Sequence, residues 1–188
     1  MKKIILASSS PRRKELLTTA GVEFEIHVKE VDETVSEGTL PVDAAKMTAA
    51  KKAAAVAEDY KDCVVIGADT IVVANGKILG KPKDEADAKM MLRMLSGIEH
   101  EVITGVCIIG NGEAETFAQI SKVKFYNLTE EEISAYVATK EPMDKAGAYG
   151  IQGLGCRLVE RIEGDYFNIV GLPVAEVCRK IKNFKKFQ

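Results

Sequence analysis

The apolar positions fall into two kinds of run, short unbroken blocks and longer stretches repeating at helical spacing. Ile4 to Ala7 is a four-residue apolar block that reads as a buried strand. Pro11 follows at the natural first position of a helix, with Ser10 as its N-cap and Gly21 just past its end. A second helix is predicted from Pro41 to Asp59, where Ala45, Ala49, Ala53 and Val56 recur on one face. Cys63 to Gly67 reads as another buried strand that ends at Ala68-Asp69-Thr70, and a further β-rich run covers Ile71 to Val73. Asn75-Gly76 is a two-residue hairpin signal leading into Ile78-Leu79.

The second half continues the alternation. Asp84 to Ser96 is predicted helical, with Ala88, Met91, Leu92 and Leu95 on one face and Gly97 as the stop. Residues 101–109 and 114–126 read as strands around Asn111-Gly112, and Thr129 with Glu132 makes a capping box for a helix to Ala138. The stretch 140–156 holds Gly147, Gly150, Gly153 and Gly155 and reads as a long structureless loop, a kind usually either functional or disordered. A hairpin is expected around Glu163-Gly164, from Arg157–Ile162 to Asp165–Val170. Pro173 then opens a last helix with Val174, Val177, Ile181 and Phe184 on its apolar stripe. Strands interleaved with helices and hairpins make the class α/β or α+β with a mixed sheet.

Composition narrows the function classes. The chain of 188 residues suits one domain over residues 1–188. A net charge of -2 and the absence of Trp argue against a nucleic-acid partner, since neither a cationic field nor a stacking platform is present. The opening Met1-Lys2-Lys3 imitates a secretory signal, but Ser8 breaks its apolar run well short of the roughly 7–15 residues required. No stretch approaches the roughly 20 apolar residues of a membrane span. Cys63, Cys107, Cys156 and Cys178 form no CxxC and mostly sit in apolar stretches, so they read as buried reduced thiols. The protein is expected in the cytoplasm, away from membranes.

Four places hold chemistry. In Ser8-Ser9-Ser10-Pro11-Arg12-Arg13 a strand ends and a helix begins with two guanidinium groups, a natural anion site. The same residues also read as an ordinary serine cap with two solvated arginines. Asp69, at an expected strand end, suits a metal ligand or a general base, or else a turn-forming carboxylate. Glu33 offers a second metal oxygen, although by itself it is a surface acid. Lys81, in the stiff turn Gly80-Lys81-Pro82, can carry a charge to a phosphate, whereas Lys52 lies on a lysine-rich helix that reads first as a solvated face. Asp144 to Gly153 joins polar groups to glycine freedom, and the Gln152 amide can both donate to and accept from a base edge. A merely flexible loop explains it equally. His27 and His100 are isolated, read as a surface and a strand-edge residue with no catalytic role, and allow no Ser-His-Asp arrangement.

Taken in order, these segments resemble the Maf family. The resemblance rests on Ala7-Ser8-Ser9-Ser10-Pro11-Arg12-Arg13, Gly67-Ala68-Asp69-Thr70, Gly80-Lys81-Pro82, Ser96-Gly97, Thr104-Gly105, Glu141 to Gly153 and Gly171-Leu172-Pro173. It implies an α/β fold similar to inosine triphosphate pyrophosphatases, with two lobes around a cleft and often a homodimer. It implies hydrolysis of nucleoside triphosphates between the α- and β-phosphates with a divalent metal cation, Mg²⁺ or Mn²⁺. By resemblance Asp69 is the proton acceptor, Ser8, Arg13, Lys52 and Lys81 bind phosphate, and Glu33 and Asp69 are associated with the metal. Arg12, Thr70 and Gln152 fit the branch acting on dTTP and UTP, where the branch acting on 7-methyl-GTP differs. A nucleotide-binding regulator of septum formation is the competing reading. Retention of Asp69 with Glu33 and Lys81 favours turnover over binding alone.

Overall fold

The computed structural model describes residues 2–185. Seven strands form one mixed sheet among these residues. They are β1 (Ile4–Leu6), β2 (Glu25–Ile26), β3 (Val64–Ala74), β4 (Lys77–Leu79), β5 (Glu99–Gly110), β6 (Glu113–Phe125) and β7 (Val159–Glu163). The helices are α1 (Pro11–Thr19), α2 (Pro41–Ala57), α3 (Glu85–Leu95), α4 (Glu130–Ala138), α5 (Tyr166–Val170) and α6 (Val174–Lys185). Strand order is β2-β1-β3-β5-β6-β7, with β4 paired to β3. β1 runs parallel to β2 and β3, whereas β4 on β3 and β7 on β6 are antiparallel. The expected mixed sheet with flanking helices is therefore present.

The chain divides into two compact units. The first comprises residues up to Thr70, Thr104–Gln119 and Gly171 onward; the second comprises Ile71–Ile103 and Ile120–Val170. In the first unit Ile5, Ala7, Ala49, Ala53, Val56, Val65 and Cys107 form a buried cluster. Its distinctive feature is how closely α2 lies on the sheet. A Cβ on Gly67 would stand 2.3 Å from the Ala49 carbonyl oxygen, and one on Gly105 would stand 2.3 Å from that of Ala45. Glycines in the strands and alanines in the helix are what allow two backbones to come this near. On α6 the stripe Val174, Val177, Ile181 and Phe184 is buried as its spacing predicts.

In the second unit α3 and α4 enclose Leu92, Leu95, Val123, Phe125, Ile133 and Val137. Full burial of each leucine contributes about 1.5–3 kcal/mol relative to exposure. Asp84 caps α3 by accepting from the Asp87 N–H at 2.8 Å, and the Thr129–Glu132 capping box on α4 is fully formed. Asn75-Gly76 and Asn111-Gly112 all have positive φ, as two-residue hairpin turns require.

Several local expectations change. β3 is one continuous strand through Asp69 and Thr70, so Asp69 sits mid-strand and not at a strand end. Ser10 precedes α1 but its side chain makes no capping bond; the Ser8 hydroxyl accepts from the Ser10 N–H at 3.3 Å instead. The stretch 140–156 is not structureless but winds through 3₁₀ turns at Glu141–Asp144, Ala146–Ala148 and Gly153–Leu158. After Gly164 the chain forms helix α5 and not a returning strand, because β7 already finds its partner in β6. All four cysteines are free, but only Cys107 is buried and Cys156 is exposed. His27 is half-buried against Tyr60, while His100 is buried and shares a 2.8 Å hydrogen bond with the Tyr149 hydroxyl. Burial holds the His100 pKa at about 4, so it is neutral at pH 7.

Candidate active site

In the first unit the segment after β1 and the start of α1 bring Ser8 and Arg13 together. Arg13 is almost completely buried, and its planar fork meets three oxygens at once. Its Nε donates to the Gly171 carbonyl at 2.8 Å, Nη1 to the Ser8 hydroxyl at 3.0 Å, and Nη2 to the Thr70 hydroxyl at 3.0 Å. Thr70 in turn lies 2.9 Å from the Thr104 hydroxyl on β5. Only a guanidinium can span acceptors from three segments of chain with one side chain. Burial pushes the Arg13 pKa down to about 10, with the Arg12 charge acting the same way and Asp69 and Glu33 opposing. It is therefore a cation at neutral pH, with two of its five N–H groups left for a ligand.

The acid lies beside this cluster, because Asp69 and Thr70 are consecutive on β3. Lys52 reaches from α2 and its ammonium donates to Asp69 Oδ1 at 2.8 Å. The same nitrogen lies 3.1 Å from Glu33 Oε1. The glycine–alanine contacts explain the reach. Ala49 and Ala53 flank Lys52 on α2 and press against Gly67, two residues before Asp69. The Lys52 and Asp69 side chains are each 17% exposed, while that of Glu33 is 59% exposed, so the inner pair is much the better shielded. Lys52 thus belongs to the acid's immediate surroundings and not to a solvated face.

Two carboxylates converging on one ammonium also present their oxygens to a single cation. This fits a magnesium-type ion, which is commonly held by one or two carboxylates together with substrate phosphates. Among the described residues no group of three or more His, Cys, Asp or Glu gathers into a metal cage.

The second unit carries the other two expected site residues. Lys81 is exposed in the turn after β4, and the half-buried Gln152 immediately precedes the last 3₁₀ turn. The two segments are tied by the Gly147 N–H, which donates to the Gly80 carbonyl at 3.0 Å. Arg12 is half-buried on α1, adjacent in the chain to Arg13. Thr104 and Gly171 complete the Arg13 cluster without having been singled out as site residues. Their only sequence signal was membership of the short motifs Thr104-Gly105 and Gly171-Leu172-Pro173.

An acid held among fixed cations and hydroxyls at the centre of a mixed α/β sheet defines an anion-handling protein of the phosphate-binding kind. The chain matches the family described as Maf-like protein over residues 3–184. It is 56% identical over 184 residues to a protein named dTTP/UTP pyrophosphatase from Bacillus thuringiensis subsp. konkukian, covering 98% of this chain and 96% of that one. A dTTP/UTP pyrophosphatase from Bacillus cereus (strain ATCC 10987 / NRS 248) is likewise 56% identical, over 98% of this chain and 91% of its own. The chain belongs to the Maf family. Its fold resembles that of the Staphylococcus aureus Ham1 protein, with a TM-score of 0.51, 16% identity, and coverage of 84% of this chain and 80% of that one. Among the described residues no helix is long and apolar enough to cross a membrane.

Proposed function

We propose that the protein hydrolyses dTTP and UTP to the nucleoside monophosphate and pyrophosphate. The observation that carries this reading is the Lys52 ammonium clamped between Asp69 and Glu33, next to the buried Arg13 cluster. Water attacks the α-phosphorus, the bond to the bridging oxygen breaks, and the β- and γ-phosphates leave together. Asp69 takes the proton from the attacking water, through the carboxylate oxygen that Lys52 does not engage. Lys52, Arg13 and Lys81 supply positive charge to the phosphates, and Ser8 adds a hydroxyl. Asp69 and Glu33 would hold a divalent cation, Mg²⁺ or Mn²⁺, whose chemistry is to neutralise phosphate charge.

Base choice rests on Gln152 with Arg12 and Thr70. Uracil and thymine present an N3–H donor between two carbonyl acceptors, an edge that an amide can meet by both accepting and donating. Cytosine reverses part of that pattern and leaves buried polar groups unpaired. The net charge of -2 and the lack of Trp support a cytoplasmic protein without a nucleic-acid partner.

The test is a panel of dTTP, UTP, CTP, ATP and GTP with Mg²⁺, Mn²⁺ or EDTA, with pyrophosphate and orthophosphate detected separately. Pyrophosphate from dTTP and UTP, abolished by EDTA, is the expected result. Orthophosphate as the first product, or full activity in EDTA, would overturn the reading.

A further inference from the structure

Gln152 occupies the middle of a narrow arch whose two ends touch. A Cβ on Gly155 would stand 2.2 Å from the Gly150 carbonyl oxygen, so only glycine lets the ends close. Both ends are gripped from one place. The Tyr136 hydroxyl, on α4, accepts from the Gly150 N–H at 3.2 Å and donates to Glu141 Oε1 at 3.0 Å. That oxygen also accepts from the Gly155 N–H at 3.0 Å, while Oε2 accepts from the Leu154 N–H at 2.9 Å. At Gly153 φ is +66°, and a Cβ there would stand 2.7 Å from Glu141 Oε2, so the arch is shaped around this carboxylate.

Burial alone would raise the Glu141 pKa. The two backbone N–H groups, the phenol and the charge of Lys145 outweigh that and hold it below the usual carboxylate range. Glu141 is therefore an anion at neutral pH, accepting three hydrogen bonds that a neutral amide could not all satisfy. The lysine does not replace any of them, since its ammonium donates to the Glu141 carbonyl and to Asp144.

We infer that Glu141, braced by Tyr136, is a positioning residue for base selection: it fixes the arch from Gly150 to Gly155 so that the Gln152 amide meets the base in one orientation. This deepens the dTTP/UTP reading and rests on it. A free arch would let Gln152 pair with several base edges, which erases discrimination while the chemistry at Asp69 continues.

The experiment compares the wild type with Glu141→Gln and Tyr136→Phe, the second keeping the aromatic ring in the core should the first fold poorly. Amide hydrogen exchange is followed across Gly150 to Gly155, and kcat and KM are measured on UTP and CTP. In Glu141→Gln the Leu154 and Gly155 amides should exchange about tenfold faster or more. The UTP-to-CTP ratio of kcat/KM should fall by about tenfold, mainly through KM for UTP. Tyr136→Phe should do the same more weakly, with Gly150 most affected. A merely structural role would instead lower kcat on both nucleotides alike, through a smaller folded fraction. Unchanged exchange, or faster exchange with the base ratio intact, would overturn the inference and leave the pyrimidine reading standing. A wild type that hydrolyses UTP and CTP equally would overturn the pyrimidine reading itself, and the role of Glu141 with it.

Discussion

Replacing Arg13 by lysine keeps the charge and removes the fork, which separates two roles that arginine combines. The fork makes three hydrogen bonds inside the first unit, to Gly171, Ser8 and Thr70. One ammonium cannot span those three positions, so at least two are lost. Hydrogen bonds to a charged group contribute about 1.5–3 kcal/mol each, and the low end suits hydroxyl acceptors that can turn to water, giving about 3 kcal/mol. Arg13 is only 9% exposed, so solvent does little to screen the loss. For a chain of this length that corresponds to a melting temperature lower by about 6–12 °C. Thermal unfolding of Arg13→Lys against the wild type, without nucleotide, reads this directly. A melting temperature within about 2 °C of wild type would refute the reasoning and make Arg13 a phosphate ligand alone. Activity, where it survives, should fall for every base, because the charge that Arg13 brings is directed at the phosphates all of them share.

Other substitutions probe the acid, the packing and the buried histidine. Asp69→Asn keeps an oxygen for Lys52, so it should fold normally yet lose about 10²-fold or more in kcat; near-normal turnover in a folded protein would remove Asp69 from the chemistry. Gly67→Ala drives a Cβ to 2.3 Å from the Ala49 carbonyl and should destabilise by about 3 kcal/mol, whereas a neutral result in urea unfolding would mean that α2 is free to shift. His100 binds its proton at about 4 when folded and near its ordinary 6.5 when unfolded. Its neutral burial therefore contributes stability that is present above pH 6.5 and is lost progressively as pH falls toward 4, by about 3 kcal/mol in all. The stability difference between wild type and His100→Gln should change by that amount between pH 7 and pH 4, and a flat difference would refute it.

What could be read in advance were features set by neighbours along the chain. Asn75-Gly76 and Asn111-Gly112 announce their turns because two adjacent positive φ values need those residue types. Thr129 and Glu132 announce α4 because a capping box closes within four residues. Three misreadings depend on distant partners. Asp69 looks like a strand terminus until β4 is seen to pair with β3 beyond it, at Val72 to Ala74, and 165–170 looks like a strand until β7 pairs with β6. Lys52 looks solvated because nothing local shows that Gly67 lets α2 approach closely enough to reach Asp69. Glu141 stood unnoticed inside a long motif, since its three donors come from residues 5 and 13–14 positions away.

The division of the chain has a consequence for how the protein is made. Every residue of the second unit is translated before Gly171, whereas the first unit needs Gly171 and α6 to be complete. At about 5–20 residues per second, the 158 positions between Arg13 and Gly171 take about 8–32 seconds to translate. Arg13, synthesised almost at the outset, waits for the Gly171 carbonyl through the whole interval. The Ser8–Arg13–Thr70 cluster is therefore among the last parts of the nascent chain to set, so a polypeptide stalled before α6 would carry Asp69 and Lys52 without the finished surroundings that hold an anion beside them.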